Sequence, residues 1–403
     1  MKSKTWLLRQ KNDHFVKKAK GTYLWDIDNN KYLDLVNGLH CISLGYSYSS
    51  VDNAVKNQMK NGNTFSLPHE LEFKVASKLT KLIPSCDMVR FGKNGTDCTS
   101  AAIRIARAFT NKDVILSCGY HGWQDWSIAT TNKNLGIPKE VVNLTISFPY
   151  NNLNYLNDLI KKFKNKIAAV VMEPMNKEYP IGNYLKDVKK LCKKNNILLI
   201  FDETITGFRF SEGGAQELFK VTPDISTFGK GLANGYPLSA IVGKRKIMKY
   251  MDKIFFSGTF GGETLSLAAA DKVIDIIKDK PVIKKIYKNG DYLIKEVNKL
   301  IESLSLNEFI SITGHPSWSF LNFKKNNRYD ENLIKTFYLQ EIFKRNLLCI
   351  GTHNLNYSFN KSDADFTIKI YEEVFSNLKK NIIEKKLYYN LKTKKISPIF
   401  KTR

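Results

Sequence analysis

The chain has 403 residues, 43% of them hydrophobic, and a formal net charge of +25 at pH 7. A chain of this length is too long for a single small hydrophobic core, so we expect two domains of the α/β class. Residues 1–6 contain no apolar stretch followed by a cleavage site, and no apolar run is long enough to cross a bilayer. We therefore expect a cytoplasmic protein without a signal peptide or a membrane partner.

The cysteines predict neither disulfides nor a metal site. None of the six belongs to a C-x-x-C pair, and none has a histidine at zinc-finger spacing. They are Cys41, Cys86, Cys98, Cys118, Cys192 and Cys349. We interpret them as small hydrophobic residues in a reducing compartment, and we expect no bound metal.

The charge of +25 has two interpretations. Strongly basic proteins bind acidic partners, so a basic nucleic-acid-binding protein without catalytic activity is a remote alternative, and attraction of a phosphorylated substrate is another. The lysines, however, are spread along predicted helical faces and are not gathered in one arm. This distribution is typical of a composition in which lysine fills solvated positions, and we expect no nucleic-acid partner.

Apolar periodicity predicts short strands that alternate with helices. In chain order it indicates two strands and a turn within 20–36, a helix over 96–109 capped by Thr96, a strand over 114–116, a strand over 167–172, a helix over 187–194 and a strand over 197–201. Fully apolar strands of this kind form mostly parallel sheets covered on both faces. Ligands bind beyond the carboxyl ends of such strands, where Glu173 and Asp202 lie.

After about residue 275 the pattern changes. A long amphipathic helix over 282–304 is followed by strand-like segments near 318–323 and 347–351. The strands near the N-terminus precede the α/β core and need a partner sheet. We therefore predict a large domain over 46–275 and a smaller α+β domain formed by 1–45 together with 276–403.

Asp202 and Lys230 suggest the chemistry of the site. A buried carboxylate at a strand end and a reachable lysine between Gly229 and Gly231 are what a pyridoxal phosphate (PLP) site requires. The carboxylate pairs with the protonated ring nitrogen, and the lysine forms a Schiff base and then carries protons. Each residue taken alone also has a structural interpretation, as a turn aspartate and as a surface lysine.

Three further motifs are compatible with the same cofactor. Gly95 and Thr96 open a helix whose N-terminal amides suit a phosphate, although an ordinary capping turn explains them equally well. Tyr120 follows a strand and could stack on a ring, with core packing as the alternative. The loop around Thr259 could add donors to a phosphate or be a flexible turn.

The order of these motifs resembles the class III (subgroup II) PLP-dependent aminotransferases, in the branch around glutamate-1-semialdehyde aminomutase. The resemblance runs nearly end to end. It is carried by Gly21-Thr22-Tyr23-Leu24-Trp25-Asp26, Asn94-Gly95-Thr96-Asp97, Tyr120-His121-Gly122-Trp123, Glu173-Pro174, Asp202-Glu203-Thr204-Ile205-Thr206-Gly207-Phe208-Arg209, Pro223-Asp224, Gly229-Lys230-Gly231 and Gly235-Tyr236-Pro237-Leu238-Ser239-Ala240.

The resemblance implies the aspartate-aminotransferase fold (fold type I), a homodimer, and roles for individual residues. Lys230 matches the Schiff-base lysine, and Asp202 matches the partner of the ring nitrogen. The cofactor-binding matches are Gly95 and Thr96 in the phosphate cup, Tyr120 stacked on the ring, Glu173 near the site, and Thr259 reaching the phosphate of the neighbouring subunit.

Several positions depart from the family pattern. Asn94 replaces a frequent serine, and Thr204 replaces the usual valine on the ring face opposite the aromatic residue. The aminomutase uses an N-terminal arginine for the substrate carboxylate, and Arg9 is a poor candidate for that role. After Glu173-Pro174 the chain reads 175-MNKE-178, without the glycine-containing turn of the aminomutase.

The sequence therefore predicts a PLP-dependent aminotransferase that moves an amino group between a small amine or amino acid and an oxo acceptor. The departures weaken the narrower alternative, a glutamate-1-semialdehyde 2,1-aminomutase or related PLP isomerase. Such an enzyme uses the same residues but keeps the amino group on one substrate. The identity of donor and acceptor stays open.

Overall fold

The structure is a computed structural model that describes residues 15–397. Within this range the chain forms two compact units. One unit covers Ser49–Lys280, and the other combines the segment that ends at Tyr48 with the segment that begins at Pro281. Arg9 lies outside the described residues.

The chain enters the described range through an antiparallel sheet. Strands β1 (Val16–Lys20), β2 (Tyr23–Asp26) and β3 (Lys31–Asp34) pair in sequence order. The Asp26 carboxylate accepts hydrogen bonds from the backbone of Asp28 at 3.0 Å and of Asn30 at 2.8 Å, which closes the turn between β2 and β3. The predicted strand pair is confirmed. A single turn, α1 (Asn37–His40), follows with left-handed backbone angles throughout.

The unit formed by Ser49–Lys280 alternates strands and helices. Its helices and strands are α2 (Ser49–Met59), α3 (Glu70–Leu82), β4 (Met88–Gly92), α4 (Gly95–Thr110), β5 (Val114–Cys118), α5 (Asp125–Ile128), α6 (Lys139–Asn143), β6 (Thr145–Ser147), α7 (Leu153–Lys162), β7 (Ile167–Met172), α8 (Tyr184–Lys194), β8 (Leu198–Asp202), α9 (Ala215–Leu218), β9 (Ile225–Phe228), β10 (Ser239–Gly243), α10 (Arg245–Met248) and α11 (Thr264–Asp279). Two 3-10 helices cover Lys230–Ala233 and Lys249–Asp252.

Seven of these strands form one sheet in the order β4-β10-β9-β8-β7-β5-β6. All strands run parallel except β10, which is antiparallel to both of its neighbours. Every residue of β7 and β8 is buried, because one face packs against α4 and the other carries a separate apolar cluster that includes Val188 of α8. The predicted mostly parallel α/β sheet is confirmed.

Two helix starts differ from the predicted ones. The helix α4 begins at Gly95 and its cap is Asn94, so the prediction that Thr96 caps it is wrong. The reason is Asp97, whose Oδ2 accepts the backbone N–H groups of Lys93 at 3.0 Å and Asn94 at 2.7 Å and thereby fixes the helix start earlier. The helix α8 begins at Tyr184 and not at residue 187.

The segment after Pro281 contributes a long helix, a small sheet and two further helices. These elements are α12 (Val282–Ser303), β11 (Ile310–His315), β12 (Trp318–Phe323), α13 (Glu331–Phe343), β13 (Leu347–Leu348), β14 (Thr352–Asn354) and α14 (Lys361–Ile383). The strand β13 pairs in parallel with β3, so both segments of this unit share a sheet. The strand predicted over 347–351 is limited to Leu347–Leu348, since Cys349–Gly351 turn into β14.

Candidate active site

Asp202 ends β8 with its carboxylate buried and held in one orientation. Its Oδ1 accepts three hydrogen bonds: from the Thr204 backbone N–H at 3.1 Å, from the Thr204 hydroxyl at 2.5 Å and from the Thr227 hydroxyl at 3.0 Å. Because Oδ1 is saturated by these donors, Oδ2 is the oxygen with remaining acceptor capacity. The predicted partner of a ring nitrogen is thus fixed at the edge of the sheet.

His121 lies against that second oxygen. Its Nδ1 is 2.9 Å from Asp202 Oδ2, and its Nε2 is 3.2 Å from the carbonyl oxygen of Cys118. The imidazole is buried and stacks on Trp126, with ring centroids 6.0 Å apart and an interplanar angle of 10°. Both ring nitrogens of His121 therefore face oxygen acceptors.

The surroundings keep the Asp202 carboxyl ionised. Burial acts to raise its pKa, but hydrogen bonds from His121 and Thr204 and the charge of His121 outweigh burial and lower the pKa below its usual value. The site therefore contains a buried anion at the end of β8.

The N-terminus of α4 provides a candidate anion site. Thr96 lies in the first turn of this 16-residue helix, and its buried Oγ1 has no hydrogen-bond partner within the described residues. Gly122 leaves room for that hydroxyl, since a Cβ at this position would collide with Thr96 Oγ1. The Ser239 hydroxyl donates to the Asn94 carbonyl at 2.8 Å and ties the helix start to β10. Backbone amides and an unpaired hydroxyl at a helix start suit a phosphate.

Lys230 follows β9 directly, as the first residue of a 3-10 helix. It is half-buried, with a φ of 42°, which is the left-handed region that side chains adopt only when the surroundings hold them there. Thr204 lies beside this segment: a Cβ at Gly229 would be 3.4 Å from Thr204 Cγ2, and one at Gly95 would be 2.9 Å from it. Thr204 thus adjoins the lysine segment, the helix start and Asp202.

Glu173 and Tyr120 meet at the ends of β7 and β5. Glu173 is buried, and its Oε1 accepts the Tyr120 backbone N–H at 3.2 Å while its Oε2 accepts from the Asn176 amide at 2.8 Å. Tyr120 is 46% exposed. Burial raises the pKa of Glu173 to about 7 against the opposing charge of His121, and the anion at Asp202 adds to the increase.

Thr259 lies apart from these strand ends, on an exposed loop between the second 3-10 helix and α11. The end of that loop is fixed by Glu263, whose carboxylate accepts from the Lys93 amine at 2.8 Å and from the backbone N–H of Leu265 at 2.6 Å. The structure therefore brings six of the seven predicted residues to one edge of the sheet and leaves Thr259 exposed.

Three residues of the site were missed by the sequence reasoning. His121 was named only as part of the Tyr120-His121-Gly122-Trp123 motif, Thr204 only as a departure on the ring face, and Thr227 not at all. The signal available was their position, because each lies within a few residues of a strand end in a parallel sheet.

Among residues 15–397, no group of three or more His, Cys, Asp or Glu could hold a metal ion. No helix in the same range has the length and apolar character of a membrane span.

Comparison with known proteins identifies the family. The profile of "Aminotransferase class-III" matches residues 8–338. The chain is 35% identical over 376 residues to a 3-aminobutyryl-CoA aminotransferase of Cloacimonas acidaminovorans, with 91% of this chain and 90% of the relative covered. It is 31% identical over 395 residues to a glutamate-1-semialdehyde 2,1-aminomutase of Syntrophobacter fumaroxidans, with 91% of each covered.

The fold agrees with this assignment. The structure of the FumI protein of Sphingopyxis sp. MTA144, solved in a PLP form, superposes with a TM-score of 0.84 at 26% identity, covering 92% of this chain and 90% of that protein. The chain has the same α/β fold, fold type I, with a mostly parallel sheet. The chain therefore belongs to the class-III aminotransferases, a family of enzymes that use pyridoxal phosphate.

Proposed function

We propose that Asp202, His121, Thr96, Tyr120, Glu173 and Lys230 form the PLP site of an aminotransferase that acts on a small amine and an oxo acceptor. The observation that carries the proposal is that the site combines two groups. They are a buried anion at Asp202 and, at Thr96, a buried hydroxyl with no hydrogen-bond partner within the described residues. A protonated ring nitrogen and a phosphate, the two ends of PLP, complement these two groups.

The residues divide the work as follows. When bound, PLP supplies an aldehyde for amines and a ring that delocalises negative charge from the carbon beside the amine. Asp202 Oδ2 would accept a hydrogen bond from the protonated ring nitrogen and so favour the cationic ring. The amides of Gly95 and Thr96, with Thr96 Oγ1, would hold the phosphate. Lys230 Nζ would hold the cofactor aldehyde, and its free amine would move the proton at the substrate carbon.

Replacing Lys230 by alanine tests this assignment. We expect the variant to lose borohydride-reducible cofactor and turnover, while the matched surface variant Lys246→Ala, three residues past β10 on the exposed face of α10, keeps both. If Lys230→Ala still carried reducible cofactor and turned over, the assignment would fail. The same preparations serve a screen of amino donors and oxo acceptors, including 3-aminobutyryl-CoA, after which one relative is named.

An aminomutase is the second candidate. It is favoured by the relative named glutamate-1-semialdehyde 2,1-aminomutase, whose alignment covers 91% of this chain. Supplying glutamate-1-semialdehyde without an amino donor separates the two reactions. A mutase forms product under these conditions, because it keeps the amino group on one substrate, whereas an aminotransferase needs a donor.

A homodimer with shared sites is part of the proposal. Large apolar side chains are exposed on this unit: Leu67 (79%), Phe73 (80%), Phe255 (81%) and Phe260 (57%). Contiguous exposed apolar surface marks a protein interface, and Phe255 and Phe260 lie on either side of Thr259 in the chain. We propose that a second copy covers them and that Thr259 serves the phosphate of that copy.

Mixing two inactive variants tests the shared site. In a mixed dimer of Lys230→Ala and Thr259→Ala chains, one site has an intact lysine from one chain and an intact threonine from the other. We expect activity to return on mixing, together with the elution volume of a dimer. A monomer without recovered activity contradicts the proposal.

The six cysteines are all free thiols, which supports a reducing, cytoplasmic location.

A further inference from the structure

The carboxylate of Glu173 lies directly beneath the backbone that precedes the Tyr120 ring. Its Oε1 accepts the Tyr120 N–H at 3.2 Å, and a Cβ at Gly119 would be only 2.7 Å from the same oxygen. Gly119 has a φ of 111°, so both its space and its backbone angle exclude a side chain. The other oxygen, Oε2, is held at 2.8 Å by the amide of Asn176.

We propose that Glu173 is the positioning residue for Tyr120: its carboxylate holds the Gly119-Tyr120 backbone against the end of β7 and thereby fixes where the Tyr120 ring lies over the site. Tyr120 is half-exposed, so burial alone does not fix its ring. The contact from Glu173 restrains the backbone from which that ring extends. Asn176 keeps the carboxylate in the rotamer that reaches Tyr120, which gives the unusual 175-MNKE-178 turn a function.

The strength of this restraint depends on the charge of Glu173. A hydrogen bond to an ionised carboxylate is roughly twice as strong as one to a neutral acid. Burial brings the pKa of Glu173 to about 7, so its charge changes across the physiological range. At pH 8 the anion holds the Tyr120 amide, and at pH 6 the neutral acid holds it less strongly.

The charged and titratable groups that face Glu173 belong to the strand ends around it. They are His121, Asp202, Lys230, Cys118 and Tyr150. Burial raises the pKa of the Cys118 thiol to about 12, and it also raises the pKa of the Tyr150 phenol. Neither group changes charge between pH 6 and pH 8. The direction of the pH dependence of the Tyr120 contact therefore follows from the ionisation of the Glu173 carboxyl itself.

Amide hydrogen exchange at Tyr120 measures the contact directly. The full-length protein is used with its cofactor, and protection is corrected for intrinsic exchange at each pH. We expect protection of the Tyr120 amide to fall about fivefold between pH 8 and pH 6, which corresponds to about 1 kcal/mol at 1.4 kcal/mol per tenfold change. The dissociation rate of the cofactor should rise over the same range.

Two variants and a control separate positioning from a merely structural role. Glu173→Gln keeps an acceptor for the Tyr120 N–H but has no charge, so protection should stay at the low-pH level at every pH. Glu173→Ala removes the acceptor, and protection should be lost throughout. Glu178→Gln makes the same chemical change at an exposed position of the neighbouring turn and should behave as the parent protein.

The inference is overturned if Glu173→Gln keeps the pH dependence of the parent, or if the Tyr120 amide stays fully protected in Glu173→Ala. It rests on the proposed function in one respect, that the Tyr120 ring faces PLP. The two fail differently: absence of reducible cofactor contradicts the proposed function, whereas the exchange of the Tyr120 amide reports the Glu173 contact with or without cofactor.

Discussion

Replacement of His121 by leucine tests whether this residue completes the charge of the candidate site. The imidazole is buried, with its two nitrogens 2.9 Å from Asp202 Oδ2 and 3.2 Å from the Cys118 carbonyl. Leucine fills a similar volume but removes both hydrogen bonds and any positive charge. The Asp202 carboxylate would then remain buried with donors on one oxygen only.

The size of the effect follows from the kind of bond that is lost. A hydrogen bond to a charged group contributes about 1.5–3 kcal/mol, and removing one partner of a buried ion pair costs roughly 3–5 kcal/mol. Neutralising Asp202 as asparagine removes the anion that His121 balances. In a double-mutant cycle with His121→Leu and Asp202→Asn, we expect a coupling free energy of about 2–3 kcal/mol. The Cys118 contact is lost in both arms that lack His121 and therefore cancels.

The measurement is hydrogen exchange of the β8 amides in cofactor-free protein, under conditions where exchange reports the free energy of unfolding. Local exchange is preferred to a global unfolding curve because a protein with two compact units does not unfold in one step. A coupling of about 0.5 kcal/mol or less, the level found for independent sites, would refute the reasoning. His121 would then be a core residue that happens to adjoin Asp202.

Two further predictions concern space at the phosphate end and a buried histidine in the other unit. Gly122→Ala places a Cβ against Thr96 Oγ1, at a position where φ is 111°. We therefore expect the affinity for the cofactor, measured by dialysis, to fall at least about tenfold. Gly182→Ala is the control and should leave the affinity unchanged, because no atom lies within 4 Å of the added Cβ. Burial lowers the pKa of His353 to about 3, so the unfolded state gains a proton first as the pH falls below about 6.5. Exchange of the β14 amides should therefore report roughly 2–3 kcal/mol less stability at pH 4.5 than at pH 7. His353→Gln should remove that slope, while an unchanged slope would assign it to other groups.

The sequence predicted the parts of the site that depend on a single segment. Asp202 was placed because an all-apolar run ends at it, and parallel strands present their carboxyl ends at one edge. Gly95 and Thr96 were placed because a helix pattern begins there, although the cap lies at Asn94. These predictions need only the local period of apolar residues and the rule that ligands bind beyond the strand ends.

The missed contacts join segments that are distant in the chain. His121 and Asp202 are 81 positions apart, and Thr227 is 25 positions from Asp202. No local pattern reports which side chain of one strand end meets which of another, since that depends on the order of the strands in the sheet. Thr204 was noticed as a departure, but its hydroxyl bond to Asp202 Oδ1 follows from a turn geometry that composition does not determine.

Glu173 and Asp202 show how one edge of a sheet gives two carboxylates different tasks. Both follow neighbouring strands and both are buried, yet the pKa of Asp202 is lowered and that of Glu173 is raised to about 7. Burial acts in the same direction on each, so the donors decide the outcome. Asp202 receives three donors on one oxygen and His121 on the other, whereas Glu173 receives one backbone amide and one side-chain amide.

This difference in donors creates a dependence between the two groups. The permanent anion at Asp202 repels a second negative charge, which is one cause of the raised pKa of Glu173. Removing the charge by Asp202→Asn should therefore lower the pKa of Glu173 and move the pH at which Tyr120 protection changes to a lower value. The residue that fixes the ring nitrogen would thus also set the pH at which the opposite residue, Tyr120, is held. A transition that stays at the same pH in Asp202→Asn would show that the charge of Asp202 does not contribute to the raised pKa of Glu173.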